Sequence, residues 1–165
     1  MDRVSDLAAE LLQKELGRVG RGPGHGPSAD GSAVVHGVLS ASGVPTGSAV
    51  DGSGLSSRDR QSAAGQLTLL RRAQARVTYL ALRGALPVAC RQGTLQYRLC
   101  GPATNGRVSA ETGTLDTVHA LTGWTTTADG HLVRFSFLLA GFTSGSKATA
   151  AIDRAVVVLA SARTG

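Results

Sequence analysis

The chain has 165 residues, enough for one domain with a real core and too few for two ordinary ones, and its 42% hydrophobic content with only 4% aromatics implies a core of Ala, Leu and Val. Its net charge of +6 comes from 17 Lys+Arg against 11 Asp+Glu, but Arg71-Arg72 is the only adjacent pair and no rings are interleaved, so a nucleic-acid surface is not expected. The opening Met1-Asp2-Arg3-Val4-Ser5-Asp6 is too polar for a leader, and no apolar run approaches the ~20 residues of a membrane span, so the chain as written is expected to stay in the cytoplasm without crossing a membrane.

A first helix is expected through Leu16, with Ser5 or Asp6 as its cap, Ala8, Leu11, Leu12 and Leu16 at helical spacing, and Gly17 ending it. Glu10 and Lys14 form an i,i+4 pair on it. Residues 17–31 are rich in Gly and Pro without periodicity, which predicts a flexible loop. A short helix follows over 33–41. The turn residues of Asp51-Gly52-Ser53-Gly54-Leu55-Ser56 come next, and Ser56 with Asp59 resembles a capping box for a helix to about Arg72. Residues 74–82 are expected to be helical, with Leu86-Pro87 as a break.

After Gly106 the period changes to that of strands. Residues 107–114, 118–127 and 132–140 read as three strands, the third carrying Val133, Phe135, Phe137 and Leu139 on one face. Asp129-Gly130 is a hairpin signal between the last two. Ser144 or Ser146 caps a last helix to about Ala162, with Ala148, Ile152, Ala155, Val156 and Leu159 on one face. Helices, then three antiparallel strands, then a closing helix make an α+β single domain over 1–165.

Cys90 and Cys100 lack the spacing of a zinc site. They are read as free thiols, with one disulfide as the alternative for an exported chain. His25, His36, His119 and His131 form no pair with ligand spacing, so no metal and no cofactor is expected. Ser144-Gly145-Ser146-Lys147 has serine and lysine one helical turn apart, but its serines are ordinary helix caps.

Four stretches in register carry a resemblance. Ser5-Asp6-Leu7-Ala8-Ala9-Glu10-Leu11-Leu12 resembles a Ser-Asp-Asn-x-x-Ala-Glu segment, and Asp51 to Ser56 resembles an Asp-Gly-Ser-Gly-Leu-Ser turn. Leu86-Pro87-Val88-Ala89 with Gly93-Thr94-Leu95 is similar to a Leu-Pro-x-Ala-Gly-x-x-Gly-Thr-Leu segment, and Val108 to Leu121 to a Val-x-Ala-Lys-Thr-Gly-Thr-Leu strand and the one after it. All four belong to the penicillin-binding protein 4 type (class C) D-alanyl-D-alanine carboxypeptidases. The resemblance implies the C-terminal portion of a serine transpeptidase/β-lactamase-like fold, a family that works outside the cytoplasm on peptidoglycan stem peptides and binds β-lactams.

In that family the acylated serine and a lysine lie on one helix as Ser-x-x-Lys, a Ser-x-Asn faces them, and Lys-Thr-Gly lines the cleft edge. Such chemistry needs a nucleophile, a proton acceptor, oxyanion donors and a cation for the substrate carboxylate. By resemblance, Ser5 matches the serine of Ser-x-Asn, whose asparagine has no counterpart, and helix capping is the alternative reading of Ser5. Thr112, Gly113 and Thr114 match the strand motif as substrate-binding residues, and Glu111 stands where the family has lysine. A carboxylate there repels a substrate carboxylate by up to ~4 kcal/mol at ~4 Å and an effective dielectric near 20. The Ser-x-x-Lys element would precede Ser5, so the chain is expected to be inactive alone. The N-terminal remainder of the same domain is then an expected partner. The alternative is a non-catalytic basic module that holds anionic cell-wall polymer.

Overall fold

The computed structural model describes residues 3–45 and 47–163. Its contacts divide the chain into two compact units, Met1–Leu69 and Leu70–Gly165.

The first unit is built on a helical pair, α1 (Arg3–Arg21) and α2 (Ser28–Ala41). The loop expected over 17–31 shrinks to 22–27, because both helices extend into it. Gly17 does not end α1; it is buried within it, and a Cβ there would lie 2.7 Å from the Gly31 nitrogen of α2. Gly31 is closer still to its neighbour, since a Cβ on it would fall 1.9 Å from the Gln13 carbonyl oxygen. The side chain of Gln13 donates to the Ser28 carbonyl at 3.1 Å and to the Ser32 hydroxyl, joining the pair across this contact. Close backbone approach therefore replaces the glycine stop that the local sequence suggests.

The same packing inverts the expected burial of α1. Gln13 and Gly17 face inward, while Leu7, Leu11, Leu12, Leu16 and Val19 are 45–67% exposed. Ser5 lies inside the first turn of a helix that begins at Arg3 and is not its cap.

Helix α3 (Ala63–Gln74) runs across the boundary between the units. Its start is served by Ser62, whose hydroxyl accepts the Gly65 N–H at 3.0 Å, and not by a box of Ser56 and Asp59. Ser56 instead accepts the Arg58 N–H at 3.2 Å, and Asp59 accepts the Val50 N–H at 2.6 Å. The helix expected over 74–82 is the shorter, later α4 (Tyr79–Ala85).

The second unit holds one antiparallel sheet in the order β1-β2-β3: β1 (Val108–Leu115), β2 (Val118–Thr126) and β3 (Leu132–Ala140). The register pairs Thr112 with Leu121 and Leu121 with Phe137, so Val133, Phe135, Phe137 and Leu139 share one face as the alternation predicts. Helix α5 (Gly145–Ser161) covers it: Ile152 and Val156 enter one core with Leu95, Val108, Leu121 and Phe135. Burying such aliphatic side chains contributes roughly 1.5–3 kcal/mol each. On the opposite face Trp124 is fully buried, with the Tyr79 ring edge-on at 5.4 Å, and Arg134 donates to the side-chain amide oxygen of Gln74. The hairpin between β2 and β3 closes at Asp129-Gly130, where Gly130 has φ of 93° and the Thr127 hydroxyl donates to Asp129 at 2.6 Å.

Cys90 and Cys100 are joined, contrary to the reading as free thiols. Their Cα atoms lie 4.8 Å apart, and the Cys90 N–H donates to the carbonyls of Leu95 and Arg98. This local fold, with positive φ at Cys90 and Leu99, brings together two cysteines whose ten-residue separation gives no such information.

Candidate functional site

The sheet ends at β1, and half of its outer edge is covered. The Ala89 N–H donates to the Val108 carbonyl and the Ala110 N–H to the Pro87 carbonyl, both at 3.0 Å. The backbone groups of even-numbered β1 residues therefore point away from β2, and those of Thr112 and Thr114 follow in the same direction. Beyond Ala110 no strand among the described residues pairs with this edge. Four of the residues singled out in the sequence, Glu111, Thr112, Gly113 and Thr114, thus lie consecutively on an open strand edge.

Thr112 is held from two sides. Its hydroxyl donates to the Thr94 hydroxyl at 3.0 Å, and its N–H donates to Oε1 of Glu111 at 3.1 Å. Thr94 lies in the short 3₁₀ turn Gly93–Leu95, inside the loop that the Cys90–Cys100 disulfide closes. The sequence marks Gly93-Thr94-Leu95 by resemblance, without pointing to this contact. At Gly113 a Cβ would come 3.2 Å from the Ala120 Cβ, which favours glycine opposite that residue.

Glu111 has no ion-pair partner among the described residues. Surrounding protein raises its carboxyl above the ordinary glutamate value through desolvation, and the Thr112 N–H partly opposes the rise. Solvent still reaches the residue, which keeps the effect modest. A carboxylate on this edge repels an approaching anion and attracts a cation.

Ser5 belongs to the first unit, exposed on α1. One turn later, Glu10 accepts the Gly52 N–H at 3.0 Å, the Ser53 N–H at 3.1 Å and the Ser53 hydroxyl at 2.9 Å. The Ser53 hydroxyl above all holds the Glu10 carboxyl below its usual range, with smaller help from both N–H groups and Lys14 against desolvation. The sequence pairs Glu10 with Lys14 and includes it in the stretch of resemblance from Ser5 to Leu12, without pointing to its docking of the Asp51 to Ser56 turn onto α1. The three donors of adjacent Gly52 and Ser53 come opposite the helix carboxylate only once the turn is placed.

The Ser144-Gly145-Ser146-Lys147 tetrad caps α5. Ser144 accepts the Lys147 N–H at 3.4 Å, and its hydroxyl lies 3.2 Å from that of Ser146. A shallow hollow of about 400 Å³ opens beside it, lined largely by Leu139, Phe142, Lys147, Ala148 and Ala151. His119 pairs with the Thr149 hydroxyl at 2.9 Å and meets the Phe142 ring edge-on. Among the described residues no three His, Cys, Asp or Glu side chains are placed to hold a metal, and no helix is long and apolar enough to cross a membrane.

The sequence profile of the D-Ala-D-Ala carboxypeptidase 3 (S13) family matches residues 1–163. A D-alanyl-D-alanine carboxypeptidase of Actinomadura sp. (strain R39) is 36% identical over 159 residues, which is 92% of this chain and 29% of that protein. Penicillin-binding protein 4 of Haemophilus influenzae, solved in complex with a β-lactam, superposes with a TM-score of 0.76 at 27% identity, covering 83% of this chain and 32% of that one. The Bd0816 predatory endopeptidase of Bdellovibrio bacteriovorus, solved with an immunity protein, shares the fold at a TM-score of 0.64 and 18% identity, over 91% of this chain and 42% of its own. The chain thus spans about a third of the length of the carboxypeptidase and penicillin-binding relatives it matches. With the profile running over nearly all of it and the α+β fold matching part of penicillin-binding protein 4, the chain belongs to the D-Ala-D-Ala carboxypeptidase 3 (S13) family.

Proposed function

We propose that this chain is a portion of a serine-type D-Ala-D-Ala carboxypeptidase domain whose β1 edge binds peptidoglycan stem peptides, with Ser5, on the resemblance, as its Ser-x-Asn serine, and that it forms no acyl-enzyme by itself. The observation that carries this reading is the open edge at Thr112 and Thr114, with Gly113 between them, in a chain matched by the family profile over residues 1–163. Strand edges bind extended peptides through main-chain hydrogen bonds, which suits a substrate of this class. The lack of acylation is supported by Ser144, whose hydroxyl is engaged in capping, and by Glu111, whose charge opposes a substrate carboxylate. Loss of the nucleophile in a comparable serine hydrolase costs about 10⁶ in rate. The disulfide fits the oxidising compartment outside the cytoplasm.

Incubation of the purified chain with a fluorescent penicillin tests the reading. No covalent label is expected on the denatured protein, and a label that survives denaturation would refute it.

A second reading, a basic module that holds anionic cell-wall polymer without catalysis, is favoured by the net charge of +6. It predicts retention on purified peptidoglycan at low salt and release at high salt, because screening weakens exposed charge pairs. No retention at low salt removes it.

A further inference from the structure

Glu111 is a carboxylate without a cation. Elsewhere in the second unit Asp153 is paired with Arg98 at 2.7 Å and Asp129 lies 3.8 Å from His131, whereas no ion pair reaches Glu111 among the described residues. Its carboxylate instead accepts the N–H of its own neighbour, Thr112, at 3.1 Å. The strand register sets what lies beside it: Glu111 pairs with Thr122 and Thr122 with Ser136, so the three form one polar row on the sheet face turned away from α5. The Thr122 and Ser136 hydroxyls are 2.9 Å apart and engage each other, which leaves the carboxylate as the free outer end of the row.

The main chain at this point is fixed. On the other face of the sheet the Thr112 hydroxyl donates to the Thr94 hydroxyl at 3.0 Å, inside the loop that the Cys90–Cys100 disulfide closes. An edge already held in place loses less freedom when a ligand settles on it.

An added strand changes the surroundings of Glu111. A carbonyl of the incoming chain takes over the Thr112 N–H and displaces the carboxylate, and the ligand removes further water from a group that the protein already desolvates. A carboxylate deprived of its donor and of water is costly unless a positive group arrives with the ligand. The residue opposite Glu111 on such a strand points to the same face, where opposite charges attract and like charges repel. Stem peptides carry both signs, carboxylates and the ammonium of a diamino acid, so the edge can discriminate between parts of one ligand.

We propose that Glu111 is a specificity-determining residue of the β1 edge, accepting the free side-chain ammonium of a stem peptide's diamino acid and so fixing which part of the peptide lies along Thr112 and Thr114. The inference rests on the reading of this edge as a stem-peptide site, and it adds the group by which the peptide is selected.

The test titrates the full chain with L-Ala-γ-D-Glu-L-Lys-D-Ala-D-Ala and with the same peptide acetylated on the lysine Nζ, following the Thr112 and Thr114 amide resonances by NMR at low salt. The free amine is expected to bind roughly 3- to 10-fold more tightly than its acetylated form, the scale of a cross-strand charge pair on an exposed edge. The difference should shrink at high salt. Glu111→Gln should remove it, and Glu111→Lys should reverse it in favour of the acetylated peptide, a change of sign that a merely structural role of Glu111 does not produce. Equal affinity of the two peptides for the parent chain, or a preference that survives Glu111→Gln, overturns the inference and leaves the edge standing as a stem-peptide site. Thr112 and Thr114 resonances that move with neither peptide overturn the reading of the edge and the inference together.

Discussion

Thr112 donates its backbone N–H to the carboxylate of Glu111, the residue before it, at 3.1 Å. On a strand edge that N–H is the donor an added strand would use, so the Glu111 side chain occupies a position that a bound peptide must take over. The contact joins the charge change at this residue to the geometry of the edge.

The Glu111 carboxyl titrates above its ordinary value because the protein around it desolvates the charged form. Between the ordinary and the raised value the folded state binds more protons than the unfolded one, so this residue's contribution to stability falls as pH rises through that window. Glu111→Gln is expected to gain a few tenths of a kcal/mol at pH 7, given the residue's exposure, and to match the parent at about pH 3. Urea denaturation at both pH values checks this, and a substituted chain less stable than the parent at pH 7 would contradict it.

Glu10 should behave in the opposite sense. Its carboxyl is held low, first by the Ser53 hydroxyl, so the stability it supplies is present above the ordinary glutamate value and is lost as pH falls through the depressed one. Glu10→Gln is predicted to cost about 1 kcal/mol at neutral pH, the worth of weakened hydrogen bonds to Gly52 and Ser53. The cost should vanish in acid. Amide exchange of Gly52 and Ser53, followed by NMR, should quicken at neutral pH in the substituted chain; unchanged exchange argues against the docking role.

The α1–α2 pair provides a contrast within one helix. Gly31→Ala places a methyl group where the Gln13 carbonyl oxygen already lies, and it should destabilise the chain by about 1–3 kcal/mol or more. Gly37, also in α2, has open space around a would-be Cβ, and Gly37→Ala should stabilise by roughly 0.5–1 kcal/mol. Thermal denaturation of the two variants side by side reads the difference, and equal shifts would mean that the close approach of the helices is absent in solution.

Local patterns along the chain suffice for the sheet, the closing helix and the strand that carries the candidate site. Alternation from Val133 to Leu139, the Asp129-Gly130 turn and the Ser144 cap are local patterns, and each element folds as its pattern dictates because its burial and its period agree. Glu111, Thr112, Gly113 and Thr114 were placed together for the same reason, as neighbours on one strand. Packing, by contrast, makes α1 run through Gly17 and turn its leucines outward, has Ser62 start α3, lets Glu10 grip the 52–53 turn, and brings Cys90 to Cys100. Each of these depends on a contact between residues whose spacing in the chain does not specify it or on a choice between rival caps, and a periodicity reports which residues share a face without saying what will lie against it.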